Sequence, residues 1–222
     1  DEVAWFTLLL IFELETYLLD ESGWTPRAAR IVVMIKLITF FLIGHTLYVN
    51  LLALMEILGP VAPSAASDLC DLADTGRSWL FNLDYTSITV QTCDALPRTD
   101  QYWEIPNEPV VTSTAGLELA RTLAWCDFME TAAWLSVGAA MEVAIRITDR
   151  GVTSGLVVTA LSWLKFGLYA LILALGVYWA YCGHWVYLWD EVLWIFGFAF
   201  LELNLDGWRG EIDNAEHDSV KR

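Results

Sequence analysis

The sequence predicts an all-α integral membrane protein, a polytopic bundle of about five transmembrane helices with one long extracytoplasmic loop. Hydrophobic residues make up 56% of the 222 residues, and several windows are long enough to cross a bilayer. The longest of these windows also carries acids at helical spacing, which predicts a charged interior. We therefore expect a single membrane domain, residues 1–222, that includes the loop 59–115 and a cytoplasmic tail, 207–222.

Charge and aromatic content narrow the class of partner. The formal net charge is −16, which argues against binding to nucleic acid or to an anionic membrane surface through a basic patch. The chain also has 12 Trp and 8 Tyr, clustered near the predicted helix ends as interfacial belts are. The lipid bilayer itself is the partner that this composition indicates.

The stretch Gly116–Asp149 is the helix around which the rest is organised. It has no Pro and only two Gly, and at about 1.5 Å per residue it is roughly 50 Å long, more than a bilayer requires. An advance of about 100° per residue places six side chains in one broad stripe. These are Asp127, Glu130, Trp134, Gly138, Glu142 and Asp149. Because carboxylates are costly in hydrocarbon, we expect the stripe to face other helices, a cation or water.

Two predicted helices precede the loop. Val3–Leu19 is short and is interrupted by acids, so it either spans or lies in the interface, which would leave four spans. A loop containing Gly23 follows it. Arg30–Leu58 is a clear span that ends at Gly59-Pro60. It carries Lys36 near its start and His45 near its middle, and because it is polar on two sides it favours a bundle or an oligomer.

The loop 59–115 is polar and predicts a small ordered cap, because loops of this length rarely lack structure. Leu83–Thr92 alternates apolar and polar residues, which predicts a short strand. Cys70 and Cys93 bracket the first half of the loop. In an oxidising compartment a disulfide between them is the simplest interpretation, with two free thiols or a metal site as alternatives.

Two further helices complete the predicted bundle. Val152–Tyr181 carries Lys165 about one third of the way along, and Val192–Leu205 is the last span. A short aromatic turn connects them, and residues 207–222 form the tail.

The distribution of Lys and Arg predicts the orientation. With five spans, one side receives seven cations: Arg27, Arg30, Arg146, Arg150, Arg209, Lys221 and Arg222. The N-terminus and the cysteine loop are then extracytoplasmic and the C-terminus is cytoplasmic, which agrees with the disulfide.

The intramembrane lysines should lose their protons or pair with carboxylates. For Lys165 the candidate partners are Asp127, Glu130 and, by depth, Glu142. For Lys36 they are Glu13 and Glu15, or Glu142. Such pairs could fix the helix register, or the remaining unpaired acids could form a polar pathway.

Cofactor signals are weak. His45 and His184 lie at different predicted depths, which fits a bis-histidine haem poorly. Cys182, His184 and Asp190, with Glu191, form a weak candidate metal site. Hydrolase, phosphate-loop, dinucleotide and HExxH motifs are missing from the sequence, so an enzyme is the less favoured class and no cofactor is assigned.

The leading functional hypothesis is a cation or proton channel or transporter with an acid-lined pathway, working as a homo-oligomer. Its pathway residues are Asp127, Glu130, Glu142, Glu202, Glu191, Lys165, Lys36 and His45. The alternative is an accessory or assembly subunit of a larger membrane complex, without chemistry of its own. A stable homo-oligomer would favour the first hypothesis, and co-purification with larger proteins would favour the second.

Overall fold

The computed structural model describes residues 2–18, 25–99 and 101–220, without the side chains of residues 17, 18, 216, 219 and 220. The chain is mostly helical, with 72% of its residues in helices. Within these ranges five α-helices are present: α1 (Glu2–Glu13), α2 (Pro26–Leu58), α3 (Thr114–Asp149), α4 (Leu156–Tyr181) and α5 (Trp185–Val220). The predicted loop around Gly23, and the cations Lys221 and Arg222, lie outside the described residues.

Three helices of the described chain, α2, α3 and α4, are long and apolar enough to cross a membrane. As predicted, α2 stops before Gly59-Pro60; α4 stops before Gly183, which adopts a φ of 96°. The most apolar window of α2 is 17% buried and that of α4 is 11% buried, against 44% for α3. The acidic helix α3 is therefore the most buried of these three helices.

Two parts of the prediction differ from the observed helices. α1 is only 12 residues long and passes into a π-helical turn, Leu14–Leu18. The predicted aromatic turn is reduced to residues 182–184, because Trp185 already begins α5. α5 then continues through the predicted tail, where Arg209 is buried rather than solvated.

The chain folds as two compact units, a helical unit formed by Asp1–Leu47 with Glu130–Arg222, and a sheet unit formed by Tyr48–Met129. In the helical unit α4 packs along α5, and α1 with the π-helical turn also packs on α5. The fully buried side chains of this core come from all five helices: Leu8, Phe12, Ile43, Val137, Met141, Ala144, Ile172, Phe198, Leu201 and Leu205.

The sheet unit contains more strands than the one that the sequence predicts. In the described part of this unit the sheet has five strands: β1 (Ala62–Pro63), β2 (Ser78–Phe81), β3 (Asp84–Ser87), β4 (Tyr102–Glu104) and β5 (Val110–Ser113). Their order is β1-β4-β5-β2-β3, and only the β2–β5 pair of this described sheet is parallel. The strand predicted at Leu83–Thr92 is present but shorter, as β3.

A disulfide and a small core hold this sheet unit together. Cys70 and Cys93 are bonded, with their Cα atoms 5.0 Å apart, which confirms the predicted pair. Leu69 and Cys93 pack with Trp79, Tyr102 and Val111 of the sheet. Because so small a core buries little apolar surface, a crosslink that restricts the unfolded chain adds stability that the unit needs.

Candidate functional site: an acidic cavity and two lysine clusters

The helical unit contains a cavity of about 90 Å³ lined by acids and aromatic residues. Its lining residues are Glu2, Trp5, Glu130, Thr131, Trp134, Asp190, Glu191 and Trp194. They come from α1, α3 and α5, and within this described lining four side chains are carboxyls and none is Lys or Arg. The cavity therefore concentrates negative charge or protons.

Two of these carboxyls, those of Glu130 and Glu191, form a pair, which we call the acid pair. Glu191 is only 4% exposed, Glu130 is half-buried, and both line the cavity. Two neighbouring carboxylates repel each other, and a proton or a cation between them relieves that repulsion. The acid pair is therefore suited to hold a proton or a cation.

Indole N–H groups hold the acids in place. Trp134 Nε1 donates to Glu191 Oε2 at 2.7 Å, and Trp179 Nε1 donates to Glu130 Oε2 at 3.0 Å. A third indole, that of Trp194, lies one turn after Asp190 on α5, and both residues line the cavity. Because an indole N–H is only a donor, each of these bonds favours the ionised form of its acid.

Aromatic rings lie next to the acid pair. The ring centroid of Trp134 is 5.9 Å from that of Trp5 and 5.4 Å from that of Phe198, and the Trp5 and Phe198 centroids are 6.4 Å apart. We call these three residues the aromatic layer. Trp5 and Trp134 also line the cavity, so the layer closes one of its sides.

The first lysine cluster lies further along α3. Lys36 Nζ is 2.7 Å from Glu142 Oε2 and 2.9 and 3.0 Å from the two oxygens of Glu15. Arg146 Nε donates to the other oxygen of Glu142 at 2.6 Å. The predicted partners of Lys36 were Glu13 and Glu15, or Glu142; the structure pairs it with Glu15 and with Glu142, whereas Glu13 accepts from Asn204. The negative charge of Glu142 is therefore compensated from two sides.

The second lysine cluster corrects a prediction. Lys165 is 2% exposed, and its Nζ lies 2.5 Å from Oε2 of Glu202, not near Asp127, Glu130 or Glu142. The reason is that α4 and α5 form an antiparallel hairpin, so residues at similar distances from its turn face each other. The Tyr169 hydroxyl lies beside the same carboxyl. Within the described chain, neither this hydroxyl nor Glu202 Oε1 makes a well-formed hydrogen bond.

The remaining predicted pathway residues lie elsewhere. His45 is exposed on α2, and Asp127 is exposed and belongs to the sheet unit. Neither is among the lining residues of the acidic cavity. Of the eight predicted pathway residues, the structure therefore brings Glu130 and Glu191 together and places four others in the two lysine clusters.

Cys182, His184 and Asp190, the weak metal candidates, do not assemble. Among the described residues, one group of His, Cys, Asp and Glu has mutually close ligand atoms, Cys70 with Cys93 and Asp94, and its sulfurs form the disulfide. The His184 ring instead packs against Trp179 and Tyr187. Asp190 lines the acidic cavity.

Sequence reasoning missed the roles of Glu2 and Trp134 at the cavity and of Trp179 as a donor to Glu130. Helical spacing places Trp134 on the acidic stripe of α3, but it does not identify its indole as a donor to a glutamate on α5. The available signal was the number of tryptophans beside acids, which interfacial anchoring alone does not explain. No known protein family, curated protein or solved structure matches this chain.

Proposed function

We propose that the chain is an integral membrane protein whose acidic cavity binds a proton or cation and passes it along the interior of the helical unit. The membrane setting is supported by the length and composition of α2, α3 and α4, and by their largely apolar exposed faces. In this proposal α1, continued by the π-helical turn to Leu18, and α5 also span, which gives five spans. The N-terminus and the disulfide loop are then extracytoplasmic, and the C-terminus is cytoplasmic.

The observation that carries the proposal is the acid pair in its cavity. Placing carboxyls inside the helical unit costs desolvation free energy. Acids within membrane-spanning helices commonly mark ion or proton pathways. The cavity offers the exposed Glu2, the half-buried Asp190 and Glu130, and the buried Glu191. An ion would thus meet the exposed Glu2 before it reaches the buried Glu191.

The lysine clusters have a different role in this proposal. Glu142 and Glu202 are each bound to a lysine, so their charges are not available to an ion unless those pairs open. The aromatic layer also lies against the cavity. Flux therefore requires movement at the layer or assembly of several copies, and a homo-oligomer is the arrangement that we propose.

Flux measurements in liposomes test the proposal. We expect Glu191→Gln and Glu130→Gln to reduce proton or cation flux by about tenfold or more, which corresponds to a loss of about 1.4 kcal/mol of binding or barrier stabilisation. Glu211→Gln is the matched control, because Glu211 is exposed on α5 and is not a cavity residue. Flux that is unchanged in both cavity variants would exclude the acid pair as the pathway.

A second candidate function is that of an accessory subunit in a larger membrane complex. The exposed apolar faces of α2 and α4 favour it, because they include large aromatic residues such as Phe41, Trp163 and Phe166 that are more than half exposed. Gentle solubilisation followed by mass measurement distinguishes the two candidates. A homo-oligomer supports the pathway proposal, whereas co-purification with larger proteins supports the subunit proposal.

A further inference from the structure

Trp134 belongs both to the acidic cavity and to the aromatic layer. Its indole N–H donates to Glu191 Oε2 at 2.7 Å. Its ring packs against Trp5 and Phe198 in the aromatic layer. Trp134 is buried, and Phe198 is fully buried, so the ring cannot shift without changing the packing of its neighbours.

The hydrogen bond of Trp134 depends on the protonation of Glu191. An indole N–H donates but does not accept, and it binds a carboxylate more strongly than a neutral carboxyl. A proton that moves onto Glu191 therefore weakens the bond that fixes the indole. The ring is then held by its packing alone.

We propose that Trp134 is a positioning residue that couples the protonation of the acid pair to the packing of the aromatic layer. The inference rests on the proposed function, in which the cavity takes up a proton. With Glu191 ionised, Trp134 is fixed and the layer stays closed. With Glu191 protonated, the hydrogen bond that fixes Trp134 is weakened, and the aromatic layer packs less tightly against the rest of the core.

The neighbouring charged and titratable groups enter the same equilibrium. Glu2 faces the acid pair from α1, Asp190 lies beside it on α5, and Glu130 is its partner on α3. On α4, the Tyr169 ring packs against Trp134 with centroids 6.4 Å apart, and Trp179, which donates to Glu130, also contacts the His184 and Tyr187 rings. The acids in this set oppose ionisation of the pair, and the indole donors favour it.

The experiment follows both ends of the coupling in one purified sample. Infrared difference spectra monitor the carbonyl band of protonated carboxyls, and Glu191→Gln identifies the contribution of the acid pair. A 4-fluorophenylalanine placed at Phe198 reports on the aromatic layer by fluorine NMR. In the wild type we expect both signals to change with the same pH midpoint.

The variant Trp134→Phe separates the two signals. It keeps an aromatic ring but removes the N–H donor, so the carboxyl band should titrate at a pH about one unit higher, a tenfold change in proton affinity. The fluorine signal at Phe198 should lose its pH response. If this variant does not fold, benzothienylalanine at position 134 retains the shape of the indole and also lacks the N–H.

Trp179→Phe is the control. It removes the donor to Glu130, but Trp179 is not part of the aromatic layer, so the midpoint should move while the fluorine signal still follows it. A Phe198 signal that follows the carboxyl band unchanged in Trp134→Phe would overturn the coupling. So would a wild-type band that titrates without any fluorine response, and in that case proton uptake by the acid pair survives. A wild-type band that never titrates overturns both the uptake and the coupling.

Discussion

Lys36 and Lys165 are buried in the helical unit, and glutamates from neighbouring helices hold both of them. Lys36 joins α2 to the π-helical turn and to α3, and Lys165 joins α4 to α5. Removing a charge from water is expensive, and a partner within hydrogen-bonding distance recovers much of that cost. Lys36 has two glutamate partners, but Lys165 has one, so loss of Lys165 leaves the largely buried Glu202 carboxylate without that compensation.

Lys165→Met tests this reasoning at the level of one residue. We expect it to lower the free energy of unfolding by about 3–5 kcal/mol, because the Glu202 carboxylate loses its cation. The double variant Lys165→Met with Glu202→Leu should recover most of the loss, because neither charge remains. Thermal unfolding of the protein in detergent, arranged as a double-mutant cycle, measures both effects.

Tyr169→Phe provides a control at the same site. Its hydroxyl lies beside the Glu202 carboxyl but makes no well-formed hydrogen bond within the described chain, so its removal should change the stability little. A double variant that is no more stable than Lys165→Met alone would show that the pair is not the source of the loss.

These residues also show how far the sequence could predict the site. The pairing of Lys36 with Glu15 and Glu142 follows from matching depths on neighbouring helices. The prediction for Lys165 is wrong because it compares depth with α3, whereas the short turn at residues 182–184 places Glu202 opposite it. The acids and the tryptophans are each recognisable in the sequence, but a hydrogen bond such as that from Trp134 to Glu191 depends on side-chain packing between helices, which periodicity does not encode.

At the scale of elements, the α4–α5 hairpin depends on one close approach. A Cβ atom at Gly176 would lie 3.2 Å from Leu188 Cδ1, 3.3 Å from Glu191 Cγ and 3.4 Å from Leu188 Cα. Glycine thus lets the two helices approach at the level of the acid pair. By contrast, a Cβ at Gly167 on the same helix would have no atom within 4 Å in the described structure.

Gly176→Val should therefore destabilise the hairpin by about 1–3 kcal/mol, the usual cost of overpacking. Gly167→Val is the matched control, and we expect it to have little effect because its side chain would enter open space. Thermal unfolding of both variants in detergent is the measurement. Equal stabilities would show that helices α4 and α5 can separate without cost at this position.

The sheet unit shows where an element could be predicted only in part. The alternation in Leu83–Thr92 indicates a strand, but β3 ends at Ser87 and the chain forms a short 3₁₀ turn at Cys93–Ala95. β2 and β3 are joined through Asn82 and Leu83, whose φ angles are 53° and 66°. Asn tolerates positive φ, but a leucine there is uncommon, so this hairpin turn lacks its usual sequence signal.

At the scale of the whole molecule, composition and surface favour the same environment. α2 and α4 keep most of their apolar windows unburied, and such faces are stable in hydrocarbon but not in water. Arg146 and Arg150 at the end of α3 and Arg27 near the start of α2 lie on one predicted side. In the proposed membrane, these cations are cytoplasmic and the disulfide is exposed to the oxidising side.

Cysteine labelling in spheroplasts tests this orientation. In a Cys126→Ala, Cys182→Ser background, Cys70 and Cys93 remain as the disulfide. We expect a membrane-impermeant maleimide to label them only after an impermeant phosphine has reduced the bond, without permeabilisation of the cells. Because both reagents stay outside, labelling means that the loop is extracytoplasmic.

Ser154→Cys, in a chain without the four native cysteines, is the opposite control for that orientation. Ser154 is exposed in the connection between α3 and α4, which lies on the cytoplasmic side when five helices span and the loop is outside. It should react only after permeabilisation. If Ser154→Cys were labelled in sealed spheroplasts while the disulfide cysteines stayed protected, the orientation would be the reverse of the proposed one. The carboxyls of the acidic cavity would then lie at the cytoplasmic end of the proposed pathway.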